Sequence, residues 1–540
     1  MNFPATHEVF NQVPDLEPYG AADDPALLEG LRREGASWAE DEVRELGALA
    51  GTARAQDWGR LANEYPPVLH THDRYGHRVD EVEFHPHWHD LMTVAVENGL
   101  HAAPWRDPRP GAHVARAAKF YVWGHTDAGH MCPISMTYAA IPALRHNAEL
   151  AERYEPLLAA PHYDFGLREP STKRGLIAGM SMTEKQGGSD VRANTTTATP
   201  NADGSYTIVG HKWFTSAPMS DLFLTLAQTE HGPSCFLLPR VLPDGTRNAI
   251  RIQRLKDKLG NKSNASSEIE YENAIGWLVG PEGRGINTII EMVNMTRLDC
   301  VIGSAVNMRI ATLRAVHHAR HRKAFGALLV DQPLMRNVLS DLVVESDAAT
   351  TMMMRLAGAT DRAAGDEQEA ALRRIALAVT KYWVCKRAPA VAAEALECLG
   401  GNGYAEESGM PRLYRESPLM SIWEGSGNVA ALDALRAMAR QPDTVEAFFT
   451  EVRLAEGADP RLDSAIARIG KELADLEDAE YRARRVVELM ALALQGAQLV
   501  RHGHPAVAEA FCRSRLDDDW GIAMGTLPTG VDTAAILDRV

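Results

Sequence analysis

One stretch, Met182-Thr183-Glu184-Lys185-Gln186-Gly187-Gly188-Ser189-Asp190, gathers hydroxyls, backbone N–H donors and two glycines that let a ligand come close. It has no continuous apolar face, so it reads as a loop leaving a strand. Further on, Trp213-Phe214-Thr215 sets an indole beside a hydroxyl, after the alternating run Tyr206-Thr207-Ile208-Val209 and the bridge Gly210-His211-Lys212. A flat heteroaromatic ring with polar edges and a diphosphate tail would need this set: an aromatic wall, hydroxyl and N–H donors, and glycines for close approach. Two ordinary Gly/Ser turns of a β-domain would fit the same residues, because short glycine-rich motifs are weak evidence.

Three more stretches interrupt helical patterns downstream. Arg322-Lys323-Ala324-Phe325-Gly326 breaks one with a glycine, and Leu399-Gly400-Gly401-Asn402-Gly403-Tyr404 places three glycines in four residues. Ser421-Ile422-Trp423-Glu424-Gly425-Ser426-Gly427-Asn428 sets a single carboxylate between a Trp and a Gly. Helix capping accounts for each, with Glu424 as a solvated acid at a helix start. Six histidines (70, 72, 77, 85, 87 and 89) crowd into twenty positions around Val82-Glu83-Phe84-His85-Pro86-His87-Trp88-His89. Imidazole is a common metal ligand, yet Pro86 is expected to break any regular face, so no helical HxxxH pair is expected there, and no HExxH is present. Packing or cavity lining is therefore preferred, and no metal is assigned.

The elements that must position these residues follow from periodicity. Residues 1 to about 75 read as an irregular arm of short helical stretches with Pro/Gly breaks. Between Thr137 and Ala159 the apolar Ala140, Ile141, Leu144, Leu150 and Leu157 fall at helical spacing, predicting one or two amphipathic helices. Residues 175 to 280 change to alternating runs (Phe223–Leu226, Cys235–Leu238, Glu268–Tyr271) separated by turns at Asp203-Gly204 and Pro243-Asp244-Gly245, predicting an all-β domain. Helical patterns over Ile286–Arg322, Leu334–Ala363, Glu367–Leu399 and Pro411–Met438 then suffice for a four-helix bundle. In the last hundred residues Ile466, Ile469, Leu473 and Leu476 mark one buried stripe. Domains are expected at 1–174, 175–282, 283–440 and 441–540.

Length supports this, since 540 residues exceed what one core organises. The composition, 45% hydrophobic and 24% charged, is that of a globular protein, and no apolar run is long enough to span a bilayer. The start, Met1-Asn2-Phe3-Pro4-Ala5-Thr6-His7, shows no secretory signal. Six scattered cysteines without a CxxC pair suggest free thiols in a reducing cytoplasm. A net charge of −16 disfavours nucleic acid as a partner for the whole surface but leaves room for a local basic patch.

Taken in order, these motifs resemble the acyl-CoA dehydrogenase superfamily, and within it most closely the AidB-type alkylation-response flavoproteins. The likeness rests on residues 179–196 (GMSMTEKQGGSDVRANTT), 398–416 (CLGGNGYAEESGMPRLYRE), 421–428 (SIWEGSGN), 84–89 (FHPHWH), the run from Cys235 to Glu268 and the extra C-terminal region. The resemblance implies a mainly α fold with a central β-barrel-like domain, FAD as cofactor, and a homotetramer. It assigns Met182, Thr183, Gly188, Ser189, Trp213 and Thr215 to FAD, with Thr183 and Thr215 on the ring's polar edges. Arg322, Phe325, Gly400, Gly401 and Gly403 would reach a neighbouring subunit's FAD, and Ser426 and Asn428 its adenosine end. Arg322 suits a diphosphate because its fork binds oxygens in pairs.

The same likeness makes Glu424 the catalytic base that removes the α-proton of an acyl thioester, a proton too weakly acidic for a carboxylate in water. A raised base pKa and donors on the enolate oxygen would help. Relatives that keep this base on an earlier helix carry it where Thr296 precedes Arg297 here, so Glu424 alone is available. A second departure is Pro333, where relatives usually carry Gln; here Gln332 sits one position earlier. The resemblance implies an alkylation-response role with weak, isovaleryl-CoA-like dehydrogenase activity and contact of the C-terminal region with double-stranded DNA. An ordinary acyl-CoA dehydrogenase of branched-chain or fatty acyl catabolism, without DNA binding, is the alternative. Against DNA, residues 441–540 carry 11 basic and 18 acidic side chains, net −7. Arg436, Arg440, Arg482 and Arg485 are the candidate phosphate contacts, and solvated surface arginines are the plainer reading.

Overall fold

The computed structural model describes residues 6–475, 477–517 and 521–540, so Leu476 of the predicted stripe and the first five residues lie outside it. Among the described residues no helix is long and apolar enough to cross a membrane. The chain divides into two units, one built from Met1–Thr52 with Cys300–Val540 and one from Ala53–Asp299.

The unit from residue 53 to 299 is built around a seven-stranded sheet. In chain order its first elements are α1 (Ala53–Glu64), the hairpin β1 (Val68–His72) and β2 (Arg78–Glu83), α2 (Pro86–Glu97), α3 (Ala112–Gly124), α4 (Met131–Leu144) and α5 (Ala148–Leu158). The sheet strands follow as β3 (Ala178–Ser181), β4 (Thr197–Pro200), β5 (Tyr206–Ser216), β6 (Leu222–Thr229), β7 (Gly232–Pro239), β8 (Ile250–Leu255) and β9 (Ser266–Val279). Their order is β3-β6-β4-β5-β9-β7, and β7 pairs back onto β6. Five strands thus close into a ring, with β3 added beside β6 and β8 beside β9. β6 and β7 do not alternate as the sequence predicts: Leu222–Ala227 and Ser234–Pro239 are buried on both faces, so each strand reads as a continuous run.

Other expectations need correction. Pro86 does not break a face; it is the first residue of α2, where its missing N–H costs nothing, and His85 caps that helix by accepting from His87 N–H at 3.2 Å. The crowded histidines find separate partners. His70 meets Glu83 at 2.8 Å, His77 meets Asp73 at 2.9 Å, His87 meets Asp90 at 2.7 Å, and His89 meets the Tyr163 hydroxyl at 3.0 Å. Helix α4 is not amphipathic, since all its residues except Pro142 are buried; α5 is, with Leu150 buried as expected and Leu158 rather than Leu157 as its second buried leucine. The supposed arm contains three helices, α1 and, in the other unit, Pro25–Arg33 and Glu40–Ala50; Asp24 caps the second of them through its carboxylate.

The other unit is helical. α6 (Gly285–His321) enters it from the β-rich unit, followed by α7 (Pro333–Arg362), α8 (Glu367–Cys398), α9 (Met410–Glu416), α10 (Gly427–Arg440), α11 (Asp443–Arg453), α12 (Pro460–Ala474), α13 (Ala479–His502) and α14 (Pro505–Phe511). The fourth predicted segment is therefore two helices, parted by the stretch that carries Glu424. In the C-terminal stripe Ile466 and Ile469 are buried, and Leu473 is half-buried near the end of α12.

Charged side chains decide how these helices meet. Asp341 and Glu345 lie one turn apart on α7, and Arg515 reaches both from a π-helical turn at Cys512–Leu516. Arg387 of α8 adds bonds of 3.1 and 3.2 Å to Glu345. Burial alone would raise the Glu345 carboxyl, but Arg387 and Arg515 outweigh it and hold it at about 2. A depressed acid stabilises the fold above its unfolded pKa and loses that contribution as pH falls through the folded one. Acid unfolding of this unit is accordingly expected between about pH 4.5 and 2. Glu345→Gln should cost about 3–5 kcal/mol at neutral pH, because the buried Arg515 and the half-buried Arg387 lose a counter-charge, and should flatten the pH dependence in that window. Calorimetric Tm against pH for both proteins checks this, and unchanged curves would count against it.

Candidate functional site

In the β-rich unit the loop after β3 rests on a buried ion pair. The Lys212 ammonium donates to Glu184 Oε1 at 2.9 Å and to the Leu226 carbonyl at 2.8 Å, with the Met182 carbonyl at 3.5 Å. Both side chains are 0% exposed. Glu184 also accepts from Thr195 N–H at 2.7 Å, the Thr195 hydroxyl at 3.0 Å, Thr196 N–H at 3.1 Å and the Gln186 amide at 2.8 Å. Burial pushes this carboxyl up, but the Thr195 and Thr196 donors and Lys212 outweigh it and hold it well below the usual carboxylate range. Burial lowers the Lys212 ammonium, and the Glu184 carboxylate opposes that shift.

Strand β5 then breaks its register. Lys212 pairs with Ile269 and Thr215 with Ser267, so Trp213 and Phe214 together oppose the single residue Glu268. This is a β-bulge, and it turns consecutive aromatic side chains toward the surface while Lys212 and Thr215 stay buried. The Trp213 N–H donates to the Thr183 carbonyl at 2.8 Å, joining the bulge to the loop. Lys256, held by Glu268 at 2.6 Å, sits 3.3 Å from the Trp213 ring centroid and covers one face of the indole. Gly188 must be glycine, because a Cβ there would lie 2.4 Å from the Thr183 hydroxyl. Ser189 and Gly188 are exposed, and Met182 and Thr183 are half-buried.

Thr215 departs from expectation. It is buried, and its hydroxyl shares a 2.8 Å hydrogen bond with Ser181 Oγ while its carbonyl accepts from Ser267. It braces the wall from behind rather than presenting an open hydroxyl. The remaining set, a partly exposed indole with a cation on one face, a hydroxyl at Thr183 and the open backbone at Gly187, suits a planar ring with an anionic tail.

In the helical unit Glu424 lies in the turn before α10. Its φ is 57° and that of Gly425 is 103°, so two successive residues are left-handed. The Lys381 ammonium of α8 donates to the Gly425 carbonyl. Ser426 is the exposed N-cap of α10, and Asn428 accepts from Arg484 at 2.7 Å. Arg322 donates to the Asn11 carbonyl at 2.6 Å. The Asn11 amide in turn both donates to the Lys323 carbonyl and accepts its N–H, each at 2.9 Å, which pins the small hairpin tipped by Phe325. Phe325 is 99% exposed at φ 52°. Gln332 spends its amide on the Ala324 carbonyl at 3.2 Å, within the same hairpin. At the glycine triplet a Cβ on Gly400 or Gly401 would meet open space, whereas one on Gly403 would strike the Leu396 carbonyl.

The four arginines proposed for phosphate contact fare unequally. Arg482 is largely covered, with bonds to Glu472 at 2.5 Å and to the Asp475 and Glu477 carbonyls; Arg485 shares Glu472 at 3.1 Å. Arg436 lies 3.7 Å from Asp433, and Arg440 is exposed. Sequence reasoning gave no role to Glu184, Lys212, Lys256, Lys381 or Asn11. The signal for Lys212 was a lone lysine at an inward strand position; for Lys381 it was a lysine within the apolar run Ile375–Cys385 of its helix.

Comparisons with known proteins bear on both halves. Residues 11–165 match the adaptive response protein AidB N-terminal domain, 179–274 the acyl-CoA dehydrogenase middle domain, and 283–439 the acyl-CoA dehydrogenase C-terminal domain. The chain is 47% identical over 526 residues to the AidB protein of Escherichia coli (strain K12), covering 96% of each. A solved structure of Caenorhabditis elegans ACDH-11 in complex with C11-CoA superposes with a TM-score of 0.87 at 27% identity, covering 96% of this chain and 95% of that one. An acyl-CoA dehydrogenase complexed with FAD from Bacillus anthracis, at 19% identity and a TM-score of 0.64 over 79% of this chain and 80% of that one, shares the fold. By these matches the chain belongs to the acyl-CoA dehydrogenases, a family of FAD-dependent oxidoreductases, and within it to the AidB group.

Proposed function

We propose that this protein is an FAD-dependent acyl-CoA dehydrogenase in which Glu424 takes the α-proton of a thioester. The observation that carries the reading is the placement of Glu424: a half-buried carboxylate in a left-handed turn at the head of α10, its following carbonyl fixed by a buried lysine. FAD, when bound, supplies the hydride acceptor that no side chain can. Met182, Thr183, Gly188, Ser189 and Trp213 would hold it, with Thr215 as their brace. Arg322, Phe325, Gly400, Gly401, Gly403, Ser426 and Asn428 are assigned to it by motif. A relative solved with C11-CoA supports an acyl-CoA substrate, and the AidB-type N-terminal domain supports a role in an adaptive response to alkylation. Buried cysteines without a disulfide suit a reducing, cytoplasmic setting.

Glu424→Gln should keep the fold and the bound flavin but slow flavin bleaching by isovaleryl- or undecanoyl-CoA about 10²–10⁴-fold, the usual contribution of a positioned base. Stopped-flow absorbance checks this, and an unchanged rate would move the base elsewhere.

Assembly into a homotetramer belongs to the same reading. Phe325 is 99% exposed and Leu334 and Tyr404 are each 84% exposed, an outlay of apolar surface that a second copy would cover. Phe325→Asp with Tyr404→Asp should lower the mass seen by light scattering and weaken FAD retention; a wild-type monomer that holds FAD tightly would contradict the reading.

Contact with double-stranded DNA is the second reading, and it has few cations to work with: Glu472 and Asp475 both pair with Arg482, and Glu472 also holds Arg485. With Arg440 and the outer edges of Arg436 and Arg485 left, binding should be weak and its salt slope shallow, about 0.9 per phosphate met. Arg440→Glu with Arg485→Glu should flatten the slope further. A steep slope that survives both substitutions would place the contact elsewhere.

A further inference from the structure

Helix α8 is buried over most of its length, and Lys381 sits in the middle of its buried part. Lys381 is 1% exposed, flanked by the buried Thr380, Tyr382, Val384 and Cys385. An ammonium in such surroundings needs a reason, because burying it costs several kcal/mol unless acceptors replace the lost water. It donates to the carbonyl of Gly425, the residue after Glu424.

That carbonyl belongs to an unusual piece of backbone. Leu419–Ser421 forms a short 3-10 turn, closed by Ile422 and Trp423 N–H bonds to Leu419 at 2.9 and 3.2 Å. Trp423 donates its indole N–H to Met420 Sδ at 3.3 Å, and Met420 in turn fills the space that Gly303 leaves open on α6. From there the chain passes through two left-handed residues, Glu424 and Gly425, before Ser426 opens α10. A non-glycine residue in this region is disfavoured and persists only where its surroundings fix it. The peptide that Lys381 grips is planar and trans, so holding its carbonyl also sets the opposed direction of the Ser426 N–H. On the far side of the turn Arg484 holds Asn428 at 2.7 Å. The segment with Glu424 is thus tied at 420, 425 and 428, and the lysine holds the carbonyl of the residue that follows Glu424.

We infer that Lys381 is a positioning residue: its buried ammonium, bound to the Gly425 carbonyl, holds the left-handed Glu424-Gly425 turn and so aims the Glu424 carboxylate. This rests on the assignment of Glu424 as base. Lys381 touches neither substrate nor cofactor in this role; it acts through the backbone.

The test uses FAD-loaded, full-length Lys381→Met and Lys381→Arg proteins, with Glu424→Gln in parallel. Two readouts are taken. The first is flavin bleaching by isovaleryl- and undecanoyl-CoA across pH, resolved into the limiting rate and the half-saturating thioester concentration. The second is hydrogen exchange of the peptide covering 419–428, which needs no substrate. Lys381→Met should exchange about tenfold or more faster in that peptide while the rest of α8 stays protected. Its limiting bleaching rate should fall 10- to 100-fold with half-saturation changed by less than about threefold, and the rate–pH profile should shift. Lys381→Arg, which keeps a cationic donor, should restore much of the rate. Normal exchange and a normal rate in Lys381→Met, beside an inactive Glu424→Gln, would overturn the inference and leave the base assignment standing. A fully active Glu424→Gln would remove the base assignment, and with it the role of Lys381. If neither Lys381 variant folds, the lysine supports the bundle itself and the inference also falls.

Discussion

A carboxylate and an ammonium buried together beneath a loop constrain the candidate site more than any apolar contact does. Glu184 and Lys212 leave water completely, and their partners come from the loop, from Thr195 and Thr196 just before β4, and from β5 and β6. Removing either partner would strand the other, at about 3–5 kcal/mol, so the loop that carries Thr183 and Gly188 has one way to lie. The neighbouring bulge follows from the same constraint. Lys212 must point inward for Glu184 and Thr215 inward for Ser181, yet three positions apart they cannot share a face of a regular strand. The extra residue resolves the conflict and leaves Trp213 and Phe214 at the surface.

The helical unit applies the same device at a larger scale. Arg355 of α7 binds Glu369 at 2.8 Å and Glu451 at 2.8 Å, and Glu451 also accepts from Gln498 of α13 at 2.6 Å. Together with the Arg515–Asp341–Glu345–Arg387 cluster, these ties fix which faces of α7, α8, α11 and α13 meet. Ion pairs of this kind contribute little net stability compared with apolar packing of equal volume. Their effect here is on register: a helix that slid by one turn would bury unmatched charges.

Periodicity carried the long helices well. The starts of α7 and α8 lie within one residue of the expected positions because Pro333 and Asp366 are strong local start signals. The glycine and carboxylate motifs were also legible, since their chemistry is local. What stayed hidden depends on partners far apart in sequence. Nothing adjacent to Lys381 reveals that Gly425 will accept its proton, and nothing beside Thr215 reveals that Ser181 will occupy its hydroxyl. Pro86 was misjudged for a different reason: the same ring that interrupts a helix is favoured at its first position, and only the register of His85 as cap decides between the two. The buried helix α4 gave a helical period without a polar face, so its period identified the helix but not its surroundings.

The helical unit is assembled from chain segments that come before and after the β-rich one in the sequence. Arg309 of α6 binds the Asp23 carbonyl at 3.0 Å and the Arg539 carbonyl at 3.3 Å, while Arg539 itself pairs with Asp347 and lies 3.4 Å from Glu29. Residues more than five hundred positions apart therefore share one polar knot. On a ribosome the two units then have different fates. The stretch from Ala53 to Asp299 is continuous in sequence, whereas residues 6–52 must wait for partners that are made after it, from Arg314 and Arg322 to Arg362 and Arg539. During synthesis the first helices, with Leu27 and Leu31 still uncovered, are the segment most in need of a chaperone's protection.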